Sequence, residues 1–212
     1  VDADISLDVE AFGSDFRARG ILQIKPPGRL RLTITDPVGR PLFFLAATDD
    51  EFTLVNSLEA EVLVGGVSAL AGGGHVPGLT AAEAAGLLTG RFAPPAAQLS
   101  GIRRESGSAE QFRLVFHAGE GLRHNIDFAP GPGRILRHAV TDGSGILLLD
   151  IRYGTAGEGS DGCALPDILH ISGEAVGGRV RMVYERVVPE PEIPDSIFRL
   201  SFPEHYRIRR AE

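Results

Sequence analysis

From Leu30 to Val55 the chain reads LRLTITDPVGRPLFFLAATDDEFTLV, and this run restricts the fold more than any other. Leu30, Leu32 and Ile34 alternate with Arg31, Thr33 and Thr35, the period-two pattern of a half-buried strand. Asp36-Pro37-Val38-Gly39 then forms a tight turn: proline presets φ early in the turn and glycine accepts positive φ near its end. The apolar run Leu42–Ala47, an Asp49-Asp50 turn and a third strand from Phe52 follow. Strands joined this tightly pair antiparallel, because a parallel pair needs a long crossover. The expectation is an antiparallel sheet built from consecutive hairpins.

The same alternation recurs with turn signals roughly every 8–12 residues, the signature of an all-β sandwich or barrel. Strands are expected near Ile5–Phe12, Phe16–Lys25, Leu30–Thr35, Leu42–Ala47, Phe52–Asn56 and Glu61–Val64. Later ones are expected near Ala97–Arg104, Gln111–His117, Leu122–Phe128, Arg134–Thr141, Gly145–Tyr153, Ile168–Gly173, Arg179–Arg186 and Ile197–Phe202. Pro26-Pro27-Gly28, Pro130-Gly131-Pro132-Gly133, Asp142-Gly143 and Gly177-Gly178 supply turns. One segment breaks the pattern. Thr80-Ala81-Ala82-Glu83 is a capping box, which predicts a short helix from Ala81 to Leu88 ending near Gly90. A weaker helical turn is read over Val67–Ala71, stopped by Gly72-Gly73-Gly74. Residues 189–194 form a Pro-rich connection, Ile197–Phe202 a last strand, and 203–212 a polar tail.

At 212 residues the chain is expected to be one domain, 1–212, large enough for a sizeable core. Its net charge of −7 argues against nucleic acid, which requires massed Lys and Arg. The densest basic groups are Arg103-Arg104 and Arg207-Ile208-Arg209-Arg210, read as a solvated loop and tail. Cys163 is the single cysteine, so no intramolecular disulfide holds the fold. The longest apolar stretch, Leu42–Ala47, falls far short of the roughly 20 residues of a membrane-spanning helix. The chain begins at Val1 rather than Met, which suggests a processed or trimmed chain whose targeting segment is not visible.

No motif for chemistry emerges. His117, His124, His138 and His170 fall on expected strands, with His117 and His124 flanking one hairpin as possible cross-strand neighbours. Yet no HxH, HxxxH or HExxH spacing occurs, no GxSxG elbow appears, and the glycine runs lack the context of phosphate loops. No catalytic residue, metal or cofactor is assigned. Two segments are apolar on both faces, Leu42-Phe43-Phe44-Leu45 and Ile146-Leu147-Leu148-Leu149. A strand of that kind is covered on both sides; it is either a core strand under the helix or the wall of an apolar cavity.

The run Leu30–Val55, with its Asp-Pro-Val-Gly turn, resembles the LolA/LolB-like lipoprotein carriers and receptors of the bacterial envelope, closer to LolB. The segments His75–Thr80 and Gly86–Gly90 are similar to that family's helical segment. Leu165–Ile168 with Arg179–Met182 resembles a late core hairpin, and Asp195–Leu200 with Pro203 the closing strand. The resemblance implies a mainly β fold: a strongly curved, incomplete antiparallel β-barrel with a short helical lid at Leu87 and Leu88. It further implies a non-enzymatic protein that holds lipoprotein acyl chains in an apolar cavity. The cavity residues chosen on that basis are Ile24, Leu32, Ile34, Phe43, Leu45, Phe112, Leu114, Phe116, Leu148 and Met182. Val38, with Leu42 beside it, is the nearest match to the family's exposed membrane-contact leucine; valine is smaller, and the family's tryptophans are absent here, which marks a divergent member.

The implied partners are lipoprotein acyl chains or another lipid, a lipoprotein carrier and the outer-membrane surface. The implied location is the bacterial periplasm, with an N-terminal lipid anchor as a feature of the receptor class. Two other readings stand beside this one: an envelope sensor or scaffold that binds a protein partner on the same concave sheet, and an enzyme built on the strand histidines.

Overall fold

The computed structural model describes residues 1–11, 13–49, 51–66, 80–91, 98–104, 110–154, 165–188 and 191–211. The expected helical turn at 67–71, the three glycines after it, residues 75–79 and Cys163 lie outside the described residues. The strands are β1 (Asp2–Ala11), β2 (Ser14–Lys25), β3 (Arg29–Thr35), β4 (Pro41–Ala47), β5 (Glu51–Asn56), β6 (Glu61–Gly66) and β7 (Gln98–Arg104). They continue with β8 (Phe112–His117), β9 (Arg123–Ala129), β10 (Arg134–Thr141), β11 (Leu147–Gly154), β12 (Ile168–Gly173), β13 (Gly178–Val188) and β14 (Arg207–Arg210). Among the described residues there is one α-helix, α1, which spans Ala81–Thr89.

All of these strands belong to one sheet, ordered β14-β6-β5-β4-β3-β2-β1-β13-β12-β11-β10-β9-β8-β7. The sheet is curved and unclosed, a mainly β, incomplete barrel with a short helix. It consists of two meanders, β1–β6 and β7–β13, each built of neighbours in sequence. They meet at β1 and β13, which pair antiparallel from Asp2↔Val188 to Ala11↔Gly178. At the β3–β4 turn, Asp36 accepts from the backbone N–H groups of Val38 and Arg40, and Gly39 takes the positive φ of 86° that the sequence predicts.

The register assigns one face of the sheet to the core. Ile5, Leu7, Ala18, Leu22, Ile24, Leu30, Ile34, Ile126, Val140, Leu149, Ile151, Leu169 and Met182 are buried there in one cluster with Ala85 and Leu87 of α1. A smaller cluster joins Ala81 at the start of α1 to Ala47 and Phe52. The helix therefore crosses the concave face, from β4 and β5 at its N-terminus towards β11 and β13 at its C-terminus.

The capping box is present: Thr80 accepts from the N–H of Glu83, and the Glu83 carboxylate accepts from the N–H of Thr80. At the other end Gly90 adopts the left-handed conformation, φ 68°, and closes the helix as a glycine cap does.

The expectation fails at the C-terminus. Ile197–Phe202 is not a strand: Asp195–Phe198 is a 3-10 turn. Nor are residues 203–212 only a polar tail, since Arg207–Arg210 forms β14, parallel to β6. The physical reason lies in what the segment covers. On β4, β5 and β6 the face opposite α1 carries Phe44, Val55 and Val62, directly opposed to one another, with Val55 4% and Val62 0% exposed. Ile197, Leu200, Phe202 and Tyr206 lie over that face around a small cavity of about 260 Å³. Arg31 donates to the Ile197 carbonyl at 3.0 Å, and Lys25 and Arg29 both pair with Asp195. A segment that lies across strands to cover them cannot also pair in their ladder. Beyond it, β14 joins the sheet edge, where Glu61 meets Arg207 at 3.0 Å and Arg209 at 3.4 Å.

Candidate functional site

The concave face under α1 is the candidate site. Of the residues chosen for an apolar cavity, Ile24, Ile34 and Met182 are buried in the main cluster. Leu32, Phe43, Leu45, Leu114, Phe116 and Leu148 are partly buried against the same cluster. Phe112 is half-buried and shares the register of Leu114 and Phe116, opposite Phe128. Leu87 is buried and Leu88 packs beside it. Leu42 is also packed against the cluster, whereas Val38 stands 77% exposed at the tip of its turn.

The two doubly apolar runs resolve differently. β4 is covered on both sides, by the α1 core cluster at Phe43 and Leu45 and by the C-terminal segment at Phe44. Ile146 and Leu147 instead begin at an exposed turn, 44% and 37% exposed, and only Leu149 of that run reaches full burial.

Polar groups hold the helix to the sheet at its C-terminal end. Tyr153 on β11 donates its hydroxyl to the Leu87 carbonyl at 2.9 Å. Tyr184 on β13 donates to the Leu88 carbonyl at 2.7 Å. A helix leaves its last carbonyls without intrahelical donors, and the last turn of α1 carries no basic residue; the two tyrosines take that role. Burial pushes both hydroxyls to a higher pKa, which keeps them protonated donors. Sequence reasoning missed both. Their one visible signal was an aromatic with a polar tip at a core-facing position, since such a tip needs a partner when buried.

His117 and His124 are not cross-strand neighbours: His117 opposes Arg123, and His124 opposes Phe116. The one-residue offset sends the two imidazoles to opposite faces, His117 outward and His124 inward. His124 meets His138 instead, Nδ1 to Nε2 at 3.0 Å, with the rings tilted at a centroid distance of 5.2 Å. His138 is fully buried and His124 nearly so. Burial, and then the neighbouring His124, push the His138 imidazolium down to about 3. Burial also lowers His124, against the opposing pull of Glu83 on α1. The pair is therefore neutral and shares one proton between facing nitrogens. Among the described residues no group of three or more His, Cys, Asp or Glu is placed to hold a metal ion.

The opposite face is polar. A groove of about 850 Å³ there is lined by Asp8, Asp150, Arg152, His170 and Arg181, among others, a lining unsuited to an acyl chain. Apart from the patch on β4–β6 that the C-terminal segment covers, the apolar core lies on the concave side.

No family model matches the sequence, and no curated protein does. Solved structures do. A LolA superfamily protein from Nitrosomonas europaea superposes with a TM-score of 0.61 at 13% identity, over 94% of this chain and 89% of the other. An outer membrane lipoprotein-sorting protein domain from Vibrio parahaemolyticus gives 0.61 at 10% identity, over 93% and 88%. A DUF1329 family protein from Desulfovibrio piger gives 0.57 at 12% identity, over 93% and 88%. The chain has the LolA/LolB-like fold, at an identity where fold is all that such likeness establishes.

Proposed function

We propose that this chain is a non-enzymatic carrier or receptor that holds lipoprotein acyl chains against the concave face of its sheet. Transport or insertion at the bacterial outer membrane is the setting, and the kinship is closer to LolB. The observation that carries the reading is the way α1 closes that face: an apolar floor drawn from β1–β4 and β8–β13 lies under this short helix. Burial of an acyl chain gains about 0.8 kcal/mol per methylene, enough to hold a lipid without a covalent step. Transfer then needs only a difference in affinity between donor and acceptor.

In the closed arrangement Leu87 and Ala85 fill the face. Loading therefore requires α1 to leave, which breaks the Tyr153 and Tyr184 hydrogen bonds and exposes apolar surface that the acyl chain covers in turn. Single-domain organisation over residues 1–212, periplasmic residence and membrane contact at Val38 belong to the same proposal.

Native mass spectrometry with an acylated lipopeptide and its non-acylated twin tests it. Binding of the acylated form alone is the expected result. Equal binding of both would point to a sensor or scaffold that uses the face for protein, and binding of neither would overturn the carrier reading.

A further inference from the structure

Arg31 has no carboxylate partner among the described residues. It stands on the outer face of β3, under the C-terminal segment, and its Nη1 donates to the Ile197 carbonyl at 3.0 Å. Its Nε is shielded from solvent, and no described group accepts from it. The acid beside the segment, Asp195, is already held by Lys25 and Arg29. A buried donor on a charged group, left without an acceptor, costs more than an ordinary hydrogen bond returns. Elsewhere on the same outer face the arginines are matched within the chain. Arg113 grips Asp127 through Nε and Nη2 at 2.7 and 3.1 Å. Arg137 grips Asp150 through the same two atoms at 2.6 and 3.1 Å. In Arg31 that edge of the guanidinium meets no carboxylate.

Arg31 also lines the cavity of about 260 Å³ between the outer face and the segment. Phe44 and Val55 supply apolar wall from the sheet, and Leu200 and Phe202 from the segment. Arg199 is the second charged residue of the lining; no described aspartate or glutamate takes part, in a chain whose net charge is −7. The polar groove on the same side of the sheet differs, since Asp8 and Asp150 stand there among Arg152 and Arg181. Apolar walls with a few placed polar groups are the form of a small-molecule site. The planar fork of a guanidinium matches a carboxylate through two parallel hydrogen bonds.

We propose that this outer cavity binds a small monocarboxylate with an apolar tail, its head on the Nε–Nη2 edge of Arg31 and its tail between Phe44, Val55, Leu200 and Phe202. The volume sets the size. At about 30 Å³ for each water-sized group the cavity holds roughly nine non-hydrogen atoms, a carboxylate with about five or six further carbons. A full-length acyl chain exceeds it. Because solvent does not reach Nε, the head enters with a small shift of residues 195–206, and binding then tightens that segment on the sheet. The proposal goes beyond the carrier reading and does not depend on it: the two sites lie on opposite faces of the sheet.

The test is titration of the full chain with hexanoate, 1-hexanol and acetate, followed by the amide NMR shifts of Val55, Ser57 and Phe202. Hexanoate should move these three, with hexanol and acetate at least tenfold weaker. R31Q should weaken hexanoate tenfold or more, R31K should recover part of the loss, and R199Q should weaken it about threefold. If R31Q loosens the C-terminal segment, seen as shifts across residues 195–206 without ligand, the comparison of hexanoate with hexanol on wild type decides alone. Equal affinity for hexanoate and hexanol overturns the proposal, because the head then plays no part. Equal affinity for hexanoate and acetate overturns it too, because the tail plays none. So does hexanoate binding that R31Q, with its segment in place, leaves unchanged, which moves the ligand to another face. No hexanoate binding overturns it outright. Lipopeptide binding, read by native mass spectrometry, should be the same in wild type and R31Q, so the carrier reading stands or falls separately.

Discussion

His124 and His138 are the residues whose surroundings differ most from what their positions in the sequence suggest. They are 14 residues apart, on strands that pair Val140 with His124 and His138 with Ile126, and no spacing motif joins them. A neutral buried histidine titrates on unfolding, so the sign of its pH effect is fixed. The folded value of about 3 lies below the ordinary 6.5. The unfolded chain therefore takes up the proton first, and stability present above pH 6.5 is lost as pH falls towards 3. Between pH 7 and pH 5 the loss should be about 1–2 kcal/mol from His138, with His124 adding in the same direction. Urea unfolding reads it as a lower midpoint at unchanged slope. A midpoint that stays put would mean that His138 is not buried in neutral form. The sequence placed these histidines on strands, but only the register shows which pair shares a face.

At the scale of the element, α1 shows what is local and what is not. Its start and stop are written in adjacent residues: Thr80 and Glu83 cap the first turn, and Gly90 ends the last. Thr80→Ala should cost about 1 kcal/mol of stability and raise amide exchange in the first turn of α1 before the strands respond. Exchange unchanged in α1 would show that packing of Ala81 on Ala47 and Phe52 alone holds the N-terminus. The anchors at the other end were not legible, because Tyr153 and Tyr184 lie 66 and 96 residues beyond the carbonyls they bind. The C-terminal segment failed for a related reason. Ile197–Phe202 has the composition of a strand, yet its partner is the outer face of β4, β5 and β6, which a strand-by-strand reading treats as solvent. The clue was Leu42–Leu45, apolar on both sides, which implied a second cover. A helix on one face explains only half of it.

At the scale of the whole molecule, the hairpin pattern gave the meanders, while the order of the strands across the middle of the sheet depends on one long-range pairing. That is β1 with β13, where Ser6 faces Val183. The later meander also returns to the earlier one through the C-terminal segment on β3–β6 and through β14 on β6. Each meander can form from neighbours in sequence, but the central pairing must close a loop of most of the chain, and closure entropy favours forming it late. Ile5→Ala, at a fully buried position on β1, should therefore speed unfolding more than it slows the early phase of refolding; the opposite split in stopped-flow kinetics would place the pairing in the nucleus. The same arrangement makes the molecule divisible. A chain cut between Gly66 and Thr80 yields a first piece that offers its β1 edge, its outer apolar face and its β6 edge, and a second piece that grips all three. Supplied separately, the two should reassemble into one particle without a covalent link, so this fold has the makings of a split reporter.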